Sequence, residues 1–190
     1  MENARTMVTG LGLIGLCVAL LAAPGCRGSS GESGATEGTG SRPVDLEAGL
    51  RAVWAAKDLD GETVGQQDGV EATAVVMFAS WCQPCRKELA MLGELRRDRP
   101  GLRVIGVNYY EEFEDRSDEE RLRGFLAGSA PWLQVVRADK ALFTALGRPS
   151  KIPTVFLFDG EGGLMERYLR AERAPPTREE LEKALARARS

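Results

Sequence analysis

From about Asp45 onward the chain alternates unbroken apolar runs with stretches whose apolar residues recur every three or four positions. The runs Thr73 to Phe78 and Leu102 to Val107 read as buried strands. Gln134 to Arg137, Val155 to Phe158 and Leu164 to Leu169 read as further, shorter strands, the last two joined by a glycine-rich hairpin turn at Asp159 to Gly163. Leu46, Leu50 and Val53-Trp54 give Asp45 to Ala56 helical spacing, although Trp54 to Lys57 also suits a strand entering the turn Asp58-Leu59-Asp60-Gly61. Helical spacing returns from Gln83 to Asp98 and is stopped by Arg99-Pro100-Gly101. Ser117-Asp118-Glu119-Glu120 and Thr177-Arg178-Glu179-Glu180 read as capping boxes. The first opens a helix carrying Leu122, Phe125 and Leu126, and the second a C-terminal helix with Leu181 and Leu185 inward. Asp139 caps another helix, ending at Gly147. No repeat is visible. The order predicts an α/β domain with a central mixed β-sheet flanked by helices.

The first 43 residues have a different pattern. Val8 to Leu21 is a nearly continuous apolar run, shorter than the roughly 20 residues of a spanning helix. Ala22-Ala23-Pro24-Gly25 then precede Cys26. Residues 1–25 read as a secretory signal peptide of lipoprotein type, with Cys26 the lipidated first residue of the mature chain. A lipobox usually has leucine three residues before its cysteine, where this chain has Ala23. Ordinary cleavage that leaves Cys26 a free thiol, or an uncleaved anchor, remain alternatives. All three place the domain outside the cytoplasm. Residues 26–43, rich in Gly, Ser, Thr and Glu, read as a flexible tether with an r.m.s. span of roughly 20–25 Å.

Composition narrows the chemistry. A net charge of −3 argues against a nucleic-acid binder. The chain has no histidine, which excludes histidine-ligated metal and Cys-His or Ser-His catalytic pairs within it. Arg86 follows Cys85, which excludes a Cys-x-x-Cys-His haem attachment.

The chemistry-bearing stretch is Ala79-Ser80-Trp81-Cys82-Gln83-Pro84-Cys85, placed where a buried strand hands over to a helix. Such a pair can be a redox dithiol, half of a zinc site or two unrelated buried thiols. Zinc would have to take carboxylates as its remaining ligands. The strand–helix junction and Pro84, suited to a first helical turn, favour the redox reading. Cys82 then lies where unpaired N–H groups and the helix dipole favour a thiolate, making it the attacking sulfur, and Cys85, one turn deeper, resolves. At about 100° per residue Cys85, Leu89, Leu92 and Leu95 share one side of the helix, and Glu88 falls inside that stripe. A buried carboxylate there could take the proton from Cys85 during resolution. Exposure of Glu88 beside Arg86 and Lys87 is the alternative.

The wording Trp81-Cys82-Gln83-Pro84-Cys85-Arg86-Lys87-Glu88 resembles the thioredoxin superfamily, and within it the TlpA/ResA group of membrane-tethered thiol–disulfide oxidoreductases. The resemblance covers about Asp58 to Arg187 and implies a thioredoxin fold for residues 44–190. It implies a redox-active Cys82–Cys85 disulfide and no cofactor. Ile152-Pro153-Thr154 resembles the superfamily's cis-proline segment, which lies opposite the cysteines and meets an extended substrate peptide. Thioredoxins commonly place an acid six residues before the first cysteine, where this chain has Val76. ResA-like members place a glutamate three residues after the second cysteine, which matches Glu88. Gln83-Pro84 is similar to reducing members of the group.

The implied activity is reduction of protein disulfides at the outer side of a bacterial membrane, facing the periplasm or exterior, with electrons from a membrane donor protein. Trp81 is read as a substrate contact or a packing residue, and Tyr109 and Tyr110 likewise. Glu111 to Glu120, with seven acids, is read as a solvated loop, with partner recognition as the minority reading. The rival from another class is a non-catalytic binding lipoprotein of the same fold with a structural disulfide.

Overall fold

The structure, a computed structural model, describes residues 44–113 and 119–187. The proposed leader, the tether, Cys26 and Ser117 lie outside the described residues. The elements follow in the order α1 (Leu46–Ala55), β1 (Ala72–Phe78), α2 (Gln83–Asp98), β2 (Leu102–Asn108), α3 (Tyr110–Phe113), α4 (Glu119–Ser129), β3 (Gln134–Arg137), α5 (Lys140–Ala145), β4 (Thr154–Asp159), β5 (Leu164–Tyr168) and α6 (Arg178–Arg187).

The strands form one sheet in the order β3-β2-β1-β4-β5. β1, β2 and β3 are parallel, whereas β4 runs antiparallel to β1 and β5 antiparallel to β4. β1 and β2 are buried at all seven positions, which explains their unbroken apolar runs. α2 packs against β2, α4 and α6, and α1 packs against α5. Gly106 permits the close layer over β2: a Cβ there would lie 2.8 Å from Phe78 and 2.9 Å from Leu133. Gly93 plays the same part in α2, where a Cβ would come within 2.9 Å of the Trp132 indole.

The capping signals resolve as side-chain bonds. Asp45 accepts from the Ala48 N–H at 2.9 Å, and Asp139 accepts from the Leu142 N–H at 2.8 Å. Thr177 and Glu180 exchange both bonds of a capping box. The helical reading of Asp45 to Ala56 holds, and the strand alternative for Trp54 to Lys57 does not. Trp54 and Ala55 close α1, and only Lys57 makes a bridge, to Thr63. The turn at Asp58 is a side-chain-nucleated one. Its Oδ1 accepts from the N–H groups of Asp60 and Glu62, and Gly61 takes a φ of 84°. Asp58 also bridges to Val136, so this turn covers the β3 edge of the sheet.

One polar intrusion into β2 was not anticipated. Arg103 is buried, and its guanidinium donates to the carbonyls of Val64 and Gly65 and to Gln134 Oε1, at 2.6–2.8 Å. These acceptors offset its desolvation.

Candidate active site

β1 delivers the chain to the sheet edge at Phe78, and α2 begins five residues later. Cys82 is the N-cap of α2, in extended conformation, and its Sγ accepts from the Cys85 N–H at 3.2 Å. Gln83 and Pro84 occupy the first turn, which carries no acidic residue. The positive end of the helix dipole therefore acts on Cys82 without an opposing carboxylate in that turn, the condition that stabilises a thiolate. Cys82 and Cys85 form a disulfide with an S–S distance of 2.07 Å. Cys82 retains slight exposure and Cys85 has none.

Glu88 is buried, at 5% exposure, whereas Arg86 and Lys87 beside it are exposed. The alternative of a solvated Glu88 is thereby excluded. Its Oε1 meets no hydrogen-bond partner among the described residues, and burial pushes its pKa up to about 7. The carboxyl can thus exchange a proton near neutral pH, one helical turn from Cys85.

A second buried acid supports the loop before the cysteines. Glu111 is 1% exposed, and its Oε1 accepts from the Ser80 N–H at 2.5 Å and from Asn108 Nδ2 at 3.2 Å. Asn108 also donates to the Phe78 carbonyl at 3.4 Å. The end of β2 is in this way tied to the end of β1 and to the residue two before Cys82. The expectation that Glu111 belongs to a solvated acidic loop is corrected here. A neighbouring backbone N–H and an amide receive its carboxylate, and no local pattern announces that. Asn108, the polar residue closing an apolar run, was the available signal.

Opposite the cysteines the Ile152–Pro153 peptide bond is cis. Pro153 and Thr154 are buried, so of the three residues of this segment only Ile152 lines the open cleft. The Thr154 hydroxyl instead donates to the Lys151 carbonyl at 2.9 Å. The cleft, about 450 Å³, runs beside Cys82 between Trp81, Tyr110 and Ile152. Trp81, 37% exposed, is one of its walls. The two tyrosines divide the roles left open for them. Tyr109 stacks on Phe143 at 4.0 Å between ring centroids. Tyr110 lines the cleft while its hydroxyl donates to the Pro149 carbonyl. Burial, with Tyr109 adding, pushes the Tyr110 pKa up to about 12, so it stays a neutral donor. Among the described residues no group of three or more metal-ligating side chains converges.

A five-stranded mixed sheet, a disulfide capping the helix after its central strand and a cis-proline loop facing it define a thioredoxin-fold thiol–disulfide protein. No protein-family model matches the chain. It is 25% identical over 147 residues to the thioredoxin-like protein YneN of Bacillus subtilis (strain 168), spanning 76% of this chain and 82% of that one. A thioredoxin-like protein from Aeropyrum pernix superposes with a TM-score of 0.60 at 18% identity, over 73% of this chain and 91% of the other. A secreted Mycobacterium tuberculosis disulfide oxidoreductase homologous to E. coli DsbE gives 0.56 at 17% identity, over 73% and 98%. At such identities the structural likeness is one of fold. Taken with the Cys82–Cys85 disulfide and the curated relative, it gives this chain a thioredoxin fold with a Cys-x-x-Cys disulfide at its active-site position, similar to thiol–disulfide oxidoreductases.

Proposed function

We propose that the protein is an extracytoplasmic, membrane-tethered reductant of protein disulfides. The observation that carries the exchange chemistry is the Cys82–Cys85 disulfide at the uncompensated start of α2, open to a cleft on the Cys82 side alone. In the reduced protein the Cys82 thiolate attacks a substrate disulfide. A mixed disulfide forms and one substrate thiolate leaves. Glu88, as carboxylate, accepts the Cys85 proton. Cys85 then attacks Cys82 Sγ, the second substrate thiolate departs, and the protein disulfide is restored. Two electrons pass from the dithiol to the substrate. Trp81 and the Ile152–Thr154 segment hold the substrate chain, Ile152 by contact and Pro153 and Thr154 by shaping the loop.

The direction rests on Gln83-Pro84 and on the absence of histidine between the cysteines, the pattern of reducing relatives. The location rests on the leader pattern before Cys26. A secreted disulfide oxidoreductase among the structures of similar fold agrees with it. Attachment is assigned to lipid on Cys26 because small residues precede that cysteine, with re-reduction by a membrane donor protein.

The reduction potential tests the direction. A reductant is expected between about −200 and about −300 mV; a value near −120 mV would make the protein an oxidant, and one far below −300 mV a structural disulfide. Attachment is tested by fractionation: wild type should follow the membranes and Cys26→Ser should not. A freely soluble, unmodified wild-type protein would refute the anchor and leave the chemistry standing.

A further inference from the structure

Among the described residues the open cleft beside Cys82 has a one-sided charge. Two of those that line it are cations, Lys151 and Arg170, and none is a carboxylate. Neither cation is ion-paired among the described residues, unlike Arg123, Arg173 and Arg178 elsewhere on the surface. The protein as a whole is acidic, with a net charge of −3, so this rim opposes the general sign of the chain.

The two cations are also held together. β4 and β5 pair antiparallel with Val155 opposite Tyr168, which brings Arg170 to the end of the hairpin where the cis-proline loop enters. There the Arg170 N–H donates to Thr154 Oγ1 at 3.4 Å, and the Thr154 hydroxyl donates to the Lys151 carbonyl at 2.9 Å. Tyr110 anchors the same loop through the Pro149 carbonyl. Both charges are thus carried on backbone fixed relative to Cys82.

We propose that this rim selects the substrate chain: the protein prefers peptides with acidic side chains next to the cysteine that forms the mixed disulfide. The inference rests on the oxidoreductase reading and adds the chemistry of its clients. An extended peptide crossing the cleft between Trp81 and Ile152 puts its side chains beside Lys151 and Arg170. Carboxylates there gain two cationic partners, and lysines meet like charge. Such pairs act through encounter rate and register more than through tight binding.

The test uses three synthetic peptides, each with one cysteine blocked as a mixed disulfide with thionitrobenzoate. The residues flanking the cysteine are aspartate, serine or lysine. Reduced wild-type protein reacts with each in single turnover, and released thionitrobenzoate is read by its absorbance. The aspartate peptide is expected to react about tenfold faster than the lysine peptide at low salt, the size two exposed ion pairs can supply. The ratio should fall towards one as added salt screens the charges. Lys151→Glu with Arg170→Glu should invert the order, and Lys151→Gln with Arg170→Gln should flatten it. A wild-type ratio near one, or a ratio unmoved by salt, overturns the proposal. So does a variant that slows all three peptides equally, because the cations would then act on the Cys82 thiolate and not on the substrate. Failure of wild type to react even with the serine peptide would instead remove the oxidoreductase reading, and this inference with it.

Discussion

Replacing Glu88 by glutamine removes one buried charge and leaves the shape of the side chain. Glu88 is 5% exposed, and burial raises its pKa from 4.5 to about 7. At about 1.4 kcal/mol for each tenfold in proton affinity, ionising it in the folded protein costs roughly 3 kcal/mol relative to the unfolded chain. Because the folded value lies above the unfolded one, the stabilisation is complete below about pH 4.5. It is lost as pH rises through about 7. Glutamine cannot titrate, so the variant escapes that loss. The assay is urea unfolding of oxidised wild type and Glu88→Gln from about pH 4 to about pH 8. The difference between the two proteins cancels every other titrating group. It should grow by roughly 3 kcal/mol in favour of the variant, a midpoint displacement of about 1 M or more. The same variant should exchange disulfides more slowly and show a lower apparent pKa for the reduced thiols, since the charge near Cys85 is gone. Parallel stability curves across the whole pH range would refute both the burial argument and the proton-transfer role built on it.

Other substitutions test other parts of the site. Cys82→Ser should abolish exchange, whereas Cys85→Ser should accumulate a mixed disulfide at Cys82, as mass spectrometry would show; trapping through Cys85 alone would reverse the order of attack. Glu111→Ala leaves the Ser80 N–H and the Asn108 amide without their acceptor, so urea unfolding should register a loss of about 1–3 kcal/mol, and exchange should slow as the loop before Cys82 loosens. Gly106→Ala drives a methyl to within 2.8 Å of Phe78 and should cost about 1–3 kcal/mol in the same assay, with an unchanged midpoint refuting the close packing.

What could be read in the chain beforehand follows from which forces are local. β1 and β2 are buried on both faces, so their composition alone marked them. α2 has its cap and early proline in its own sequence, and its span of about Gln83 to Asp98 was legible there. Glu88 could be placed on the apolar stripe because a helix is periodic. Glu111 could not, because its burial depends on Ser80, 31 residues away, and its neighbours Glu112 and Glu114 carry the same charge. Arg103 escaped notice for the same reason: its acceptors sit on Val64, Gly65 and Gln134, which no spacing rule connects. The cationic rim needed the β4–β5 pairing to bring Arg170 beside Lys151.

The site is split between two stretches of chain. Cys82, Cys85, Glu88 and Glu111 come from the segment β1–α2–β2 and the short helix α3 after it, whereas Lys151, Ile152 and Arg170 come from the hairpin β4–β5 and the stretches flanking it. On the proposed reading the sulfur chemistry and the cationic side of the cleft are therefore separately heritable, with Trp81 and Tyr110 of the first stretch as its other walls. A mutation or a transplanted hairpin that redraws residues 150–170 would then shift client preference while the sulfur chemistry is inherited intact, so duplicated copies could diverge in clientele before they diverge in reaction.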